Sequence, residues 1–155
     1  MRKKTVWAMS FLVGGILLTC NLPGAATPTP RIGYDERLVA VWVEARRVGE
    51  DGASFEPDDP LHVGFFPDGT FRAVLASHRF ETFHDFWGEW KADDGVLTLT
   101  ITGGNNLPPQ SAYEGRYEVR EDELVLDEIT LVDDFVGPTT IFSYHGPAPE
   151  GEVVP

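Results

Sequence analysis

The feature that most constrains this chain is a period of two. In "VLTLTIT", Leu97, Leu99 and Ile101 alternate with Thr98, Thr100 and Thr102. In "YEGRYEVR", Tyr113, Tyr117 and Val119 alternate with Glu114, Arg116, Glu118 and Arg120. Successive side chains of an extended strand point to opposite faces, so such segments place one face in a core and the other in water. "LHVGF" and "FRAVL" repeat the pattern with Leu61, Val63 and Phe65, then Phe71, Ala73 and Leu75. "ELVLDEIT" keeps it through Leu124 and Leu126 and slips at Asp127-Glu128, which marks a bulge or a strand end.

Turn chemistry separates these runs. "FPDGTF" sets Pro67 and Asp68 before Gly69, "ADDGV" ends its turn on Gly95, and "REDEL" reverses near Asp122. Strand, turn and strand recur about every ten residues, the rhythm of an antiparallel meander. Eight strands are predicted, at 38–48, 61–66, 71–77, 88–92, 96–102, 113–120, 123–131 and 140–145. A small residue also stands two places before an aromatic in Ala40-Val41-Trp42, Gly88-Glu89-Trp90 and Gly115-Arg116-Tyr117. A ring beside a position with little side chain permits tight curvature and covers the gap, which favours a closed or strongly curled sheet.

The first strand with Trp42, then "FFPDGTF", "GEWKADDGVLTLTI" and "YEGRYEVREDELVL", resemble the bacterial lipocalin-like domain proteins over about Leu38 to Leu131. The resemblance implies an all-β fold, a single antiparallel up-and-down β-barrel of about eight strands with at most one short helix, often lipid-anchored. It implies little about activity. Ala40 stands where true lipocalins carry glycine, and the last strand has no arginine to pack over Trp42.

Before the barrel lies a targeting segment. Arg2, Lys3 and Lys4 precede an apolar run from Val6 to Leu18. That run suits a secretory signal and is shorter than the roughly 20 residues needed to span a bilayer. The only cysteine, Cys20, follows in "LLTCN", which resembles the lipidation motif of bacterial lipoproteins. The expected organisation is a signal peptide over 1–20, a Pro-rich tether over 21–35, a barrel over 36–145 and a tail over 146–155. The protein is expected outside the cytoplasm, in the cell envelope, held to the membrane by lipid at Cys20. Cleavage after Gly24-Ala25-Ala26 would secrete it instead. Beyond the signal, 9 basic residues face 25 acidic ones, a charge of −16. Such a surface repels nucleic acid and anionic headgroups, so neither is an expected partner and membrane contact is through the anchor alone.

Nucleophilic catalysis lacks its parts. There is no Gly-x-Ser-x-Gly elbow, and the single cysteine lies in the targeting segment. No phosphate-cradling glycine loop and no zinc-ligand spacing occurs, so no catalytic residue, metal or cofactor is expected. The acidic pairs Asp58-Asp59, Asp93-Asp94, Asp127-Glu128 and Asp133-Asp134 read mostly as solvated turns. His78 and His84 would lie roughly 20 Å apart on a straight strand and on different faces of a helix, so they read as surface histidines.

One segment remains. "HRFETFHDFWGEW" packs five aromatics and two histidines into thirteen residues. As a strand neither face is cleanly apolar. As a helix, Phe80, Phe83, His84 and Trp87 form one stripe, which predicts a short helical turn or compact loop over one barrel end with Phe83 and Trp87 turned inward. Phe83, Trp87 and Trp90 are therefore the candidate ligand-binding residues, bordering either a filled core or a pocket for a small hydrophobic ligand. The competing expectation is a protein-interaction, inhibitor-like module acting through loops such as Gly103 to Ser111. Both readings are non-enzymatic.

Overall fold

The structure is a computed structural model, and it describes residues 33–77, 82–131 and 138–149. A 3-10 turn at Glu36–Leu38 precedes nine strands: β1 (Val41–Val48), β2 (Ser54–Phe55), β3 (His62–Phe65), β4 (Thr70–Ser77), β5 (Thr82–Asp93), β6 (Val96–Asn105), β7 (Ala112–Arg120), β8 (Glu123–Asp127) and β9 (Thr139–Gly146). All neighbours pair antiparallel. β1, then β3 through β9, form a ring of eight strands that closes where β9 pairs with β1 from Val41↔Gly146 to Val48↔Thr139. The two-residue β2 pairs with the end of β1, on the edge opposite β9 and beyond the reach of β3. The expected barrel is present; β2 was not foreseen.

The predicted turns form as their chemistry demands. Asp94 (φ 47°) and Gly95 (φ 78°) occupy two consecutive left-handed positions between β5 and β6, as a two-residue hairpin turn requires. At the β3–β4 turn, Asp68 Oδ1 accepts from the Thr70 amide (2.9 Å) and hydroxyl (2.6 Å). The slip at Asp127-Glu128 is a strand end, with Glu128 at φ 66°.

The period of two sorts residues as expected. Leu97 and Leu99 are fully buried while Thr100 and Thr102 are exposed. Trp42, Phe65, Phe71, Phe86, Phe142 and Trp90 meet in one core with the strand leucines. Each buried indole finds an acceptor: Trp42 Nε1 donates to Leu38 O (2.9 Å) and Trp90 Nε1 to Phe66 O (3.2 Å). Instead of an arginine, Tyr144 meets Trp42 edge-on, with centroids 5.8 Å apart.

The glycine beside Trp90 has a steric reason. A Cβ on Gly88 would lie 1.9 Å from Thr100 O, at the register shift where β5 and β6 approach. Gly115, beside Tyr117, is as tight: its Cβ would lie 2.2 Å from Asp127 O.

One expectation is overturned. From Thr82 onward the aromatic segment is neither helix nor loop but the start of β5, the longest strand at 12 residues. Its first half pairs with β4 from Ser77↔Thr82 and with β6 from Asp85↔Asn105. Hydrogen-bonded ladders on both sides outweigh a helix too short to be stable alone. His78, Arg79, Phe80 and Glu81 lie outside the described residues.

Candidate binding surface

The two ends of the barrel are built differently. At one end, the β3–β4, β5–β6 and β7–β8 turns surround the entering chain. Ala92 N donates to Gly33 O (2.9 Å), Tyr34 stacks on Trp90 with centroids 5.1 Å apart, and Leu38 is fully buried. Asp35 caps the 3-10 turn by accepting from Arg37 N (3.0 Å), pairs with the Arg37 guanidinium (2.7 Å) and accepts from Tyr117 Oη (2.8 Å). The side-chain bond from Arg37 holds the Asp35 carboxyl below its usual range, against the opposing effect of burial. Burial, reinforced by the bond to Asp35, pushes the Tyr117 hydroxyl up to about 12.

The other end carries the β4–β5, β6–β7 and β8–β9 connections. Here β5 and β6 run on together, and side-chain amides fasten the β6 end to the β5 start. Asn105 Oδ1 accepts from Asp85 N (2.7 Å), and Asn106 Nδ2 donates to Phe83 O (2.7 Å). His84 Nδ1 donates to Asn106 O (2.8 Å), which fixes its tautomer. Asn106 itself sits at φ 43°. Large apolar side chains are nevertheless left in solvent: Phe83 is 46% exposed and Leu107, just after the asparagines, 54%.

The three sequence-predicted ligand residues do not share a wall. Phe86, Gly88, Trp90 and Ala92 alternate inward along β5, so Trp90 is core. Phe83 and Trp87 occupy the opposite, outer face, not the inward position expected of a lid. Trp87 is half-buried because its indole lies across Gly103; a Cβ there would fall 2.8 Å from Nε1. Arg72, opposite Trp87 on β4, holds Asp85 through two bonds of 2.8 Å each, and that pairing keeps the Asp85 carboxyl below its ordinary range.

Sequence reasoning missed one interior polar group. Glu44 follows Trp42 on the inner face of β1 and is 3% exposed. The register shifts between Glu44 and Arg46, which brings Arg47 back inward opposite the buried Thr140. Arg47 Nη2 donates to Glu44 Oε2 (3.0 Å), its Nε donates to Oε1, and Leu61 N also donates to Oε2 (3.0 Å). The signal was a charged residue two places after Trp42 in "VWVE".

An open groove of about 700 Å³ runs along the outer wall past Val96, Arg116, Glu118, Val125, Asp127 and Thr139. Among the described residues, no three His, Cys, Asp or Glu side chains converge as metal ligands.

Comparison with solved structures agrees with this architecture. A lipocalin-like protein from Bacteroides uniformis ATCC 8492 superposes with a TM-score of 0.54 at 17% identity, covering 70% of this chain and 99% of that one. An uncharacterized protein from Bacteroides eggerthii DSM 20697 superposes at 0.50 with 16% identity and the same coverage. No family model and no curated protein matches the sequence. The fold is that of a lipocalin-like barrel.

Proposed function

We propose that this chain is an exported, lipid-tethered, non-enzymatic binding barrel that engages a protein partner through the end carrying Phe83 and Leu107. The observation carrying this reading is the exposure of those two large apolar side chains at one end of a barrel whose interior is occupied by its own core. Exposed apolar surface is costly in water and is covered when a partner binds. Polarity along the barrel agrees. The chain enters at Gly33, beside the β5–β6 turn, and Phe83 lies ten residues back along β5, about 33 Å at strand spacing. A lipid on Cys20 would hold the entry end toward the membrane and present Phe83 and Leu107 away from it. The strong negative charge would keep the rest of the wall off anionic headgroups.

A small hydrophobic ligand is the second reading, supported by the lipocalin-like fold. Native mass spectrometry of protein purified from its host separates the two. A co-purifying protein lost from a Phe83→Ser, Leu107→Ser variant supports the first reading. A small molecule retained equally by both forms supports the second and removes the first. Export is tested by fatty-acid labelling, which Cys20→Ala is expected to abolish; undiminished labelling would rule out the anchor.

A further inference from the structure

We propose that His62 and His145 form a two-histidine site for a divalent transition-metal cation on the outer wall of the barrel. The two residues are 83 positions apart in sequence and sit on different strands flanking β1. His62 projects outward from β3, between the buried Leu61 and Val63, and pairs with Val43 of β1. His145 reaches the same place by an irregularity. Val41 pairs with Gly146 and Trp42 with Tyr144, so His145 is the extra residue of β9 at that register shift. Bulges of this kind re-aim a side chain.

The rings meet edge-on, with centroids 6.2 Å apart and planes at 71°. A metal sits about 2.0–2.1 Å from an imidazole nitrogen, hence about 3.2 Å from the ring centroid. Two imidazoles placed trans on one ion thus have centroids about 6.4 Å apart, against about 5.2 Å on a tetrahedral ion, so the observed spacing fits trans coordination.

The nearest described cations are already paired: Arg46 donates to Glu123 (3.2 Å), the residue opposite Ser143. Val74 of β4, Val41 and Val43 of β1, and Ser143 of β9 flank the pair. Arg72, two residues back from Val74, turns its guanidinium to Asp85. The chain's charge of −13 favours any cation. With imidazole ligands the divalent series runs toward Cu²⁺ as the tightest binder, with Zn²⁺ and Ni²⁺ below it. Water would complete the coordination shell.

The test titrates the full chain carrying Cys20→Ser, without an affinity tag, with cupric chloride at neutral pH. Cys20→Ser removes the only thiol. One equivalent is expected to bind, with two imidazole nitrogens in the electron paramagnetic resonance spectrum. His62→Ala and His145→Ala should each weaken binding by at least the roughly tenfold that loss of a ligand-orienting partner costs. His84→Ala should leave it unchanged. Absence of binding, or wild-type affinity in either the His62 or the His145 variant, overturns the proposal. A circular dichroism spectrum shows that each variant keeps its sheet, so loss of binding is not loss of fold.

Discussion

The closed end of the barrel and its loop end use the same kinds of residue for opposite purposes. At the closed end, Tyr34, Trp42 and Trp90 are packed ring on ring or bonded through their indole nitrogens, and the entering chain is fastened by Asp35. At the loop end, polar side chains fasten β5 to β6, and two large apolar groups beside them stay outside. Asn105, Asn106 and His84 hold the backbone of β5 and β6 while Phe83 and Leu107 face solvent. Shape at this join therefore rests on those bonds rather than on the exposed hydrophobes.

If that division holds, substitutions should separate cleanly by end and by face. The largest losses belong to the core: Trp42→Ala and Phe86→Ala should each cost about 3–5 kcal/mol in urea unfolding. Glu44→Ala should approach the same loss, about 3–5 kcal/mol. It takes from the half-buried Arg47 the Glu44 carboxylate and from the Leu61 amide its acceptor. A much smaller effect would mean that water reaches this pair.

The closed-end latch should titrate. Asp35 has its folded pKa lowered, so its contribution is present above the unfolded carboxylate value near about 3.9 and is lost as pH falls through the folded value. Tyr117 is the reverse case. Its folded pKa is raised to about 12, so its contribution is complete below about 10 and fades as pH climbs toward the folded value. Urea midpoints measured across both windows should move in wild type. Tyr117→Phe should cost about 1 kcal/mol at neutral pH and abolish the alkaline change. An unaltered alkaline profile would show that the latch lies elsewhere.

The smallest effect on stability is expected at the loop end. Phe83→Ser and Leu107→Ser should each stay within about 0.5 kcal/mol of wild type while removing the proposed partner. A large loss of stability instead would erase the contrast between the ends.

The sequence was most legible where structure is decided locally. Strand period and turn residues place β6, β7 and the turn at Gly95 to within a few residues, and Trp42 and Trp90 inside. The aromatic segment misled because its partners are remote. Phe80, Phe83, His84 and Trp87 spell a helical stripe, but β4 and β6 supply hydrogen bonds along both edges of β5, and no local pattern records that. The supposed trio of Phe83, Trp87 and Trp90 dissolved with the helix, since a strand sends Trp90 one way and the other two the opposite way. Arg47 was hidden for a related reason. Its inward turn depends on a one-residue register shift in β1, visible only once β9 lies alongside.

The pairing of β9 with β1 also sets how the chain must reach this state. Val48 and Thr139 are neighbours in the ring although about ninety residues separate them, so the seam closes only after nearly the whole chain is available. Non-local closure of this kind slows folding. Until it occurs, β1 and β8 each present an open edge, with Val41, Val43 and Val125 among the groups beside it. Exposed edges recruit other chains. Under the proposed export, β1 would emerge from the membrane first and its ring partner β9 last. The interval between the two is the period of greatest aggregation hazard, and any chaperone that guards it would serve β1 before the rest of the barrel.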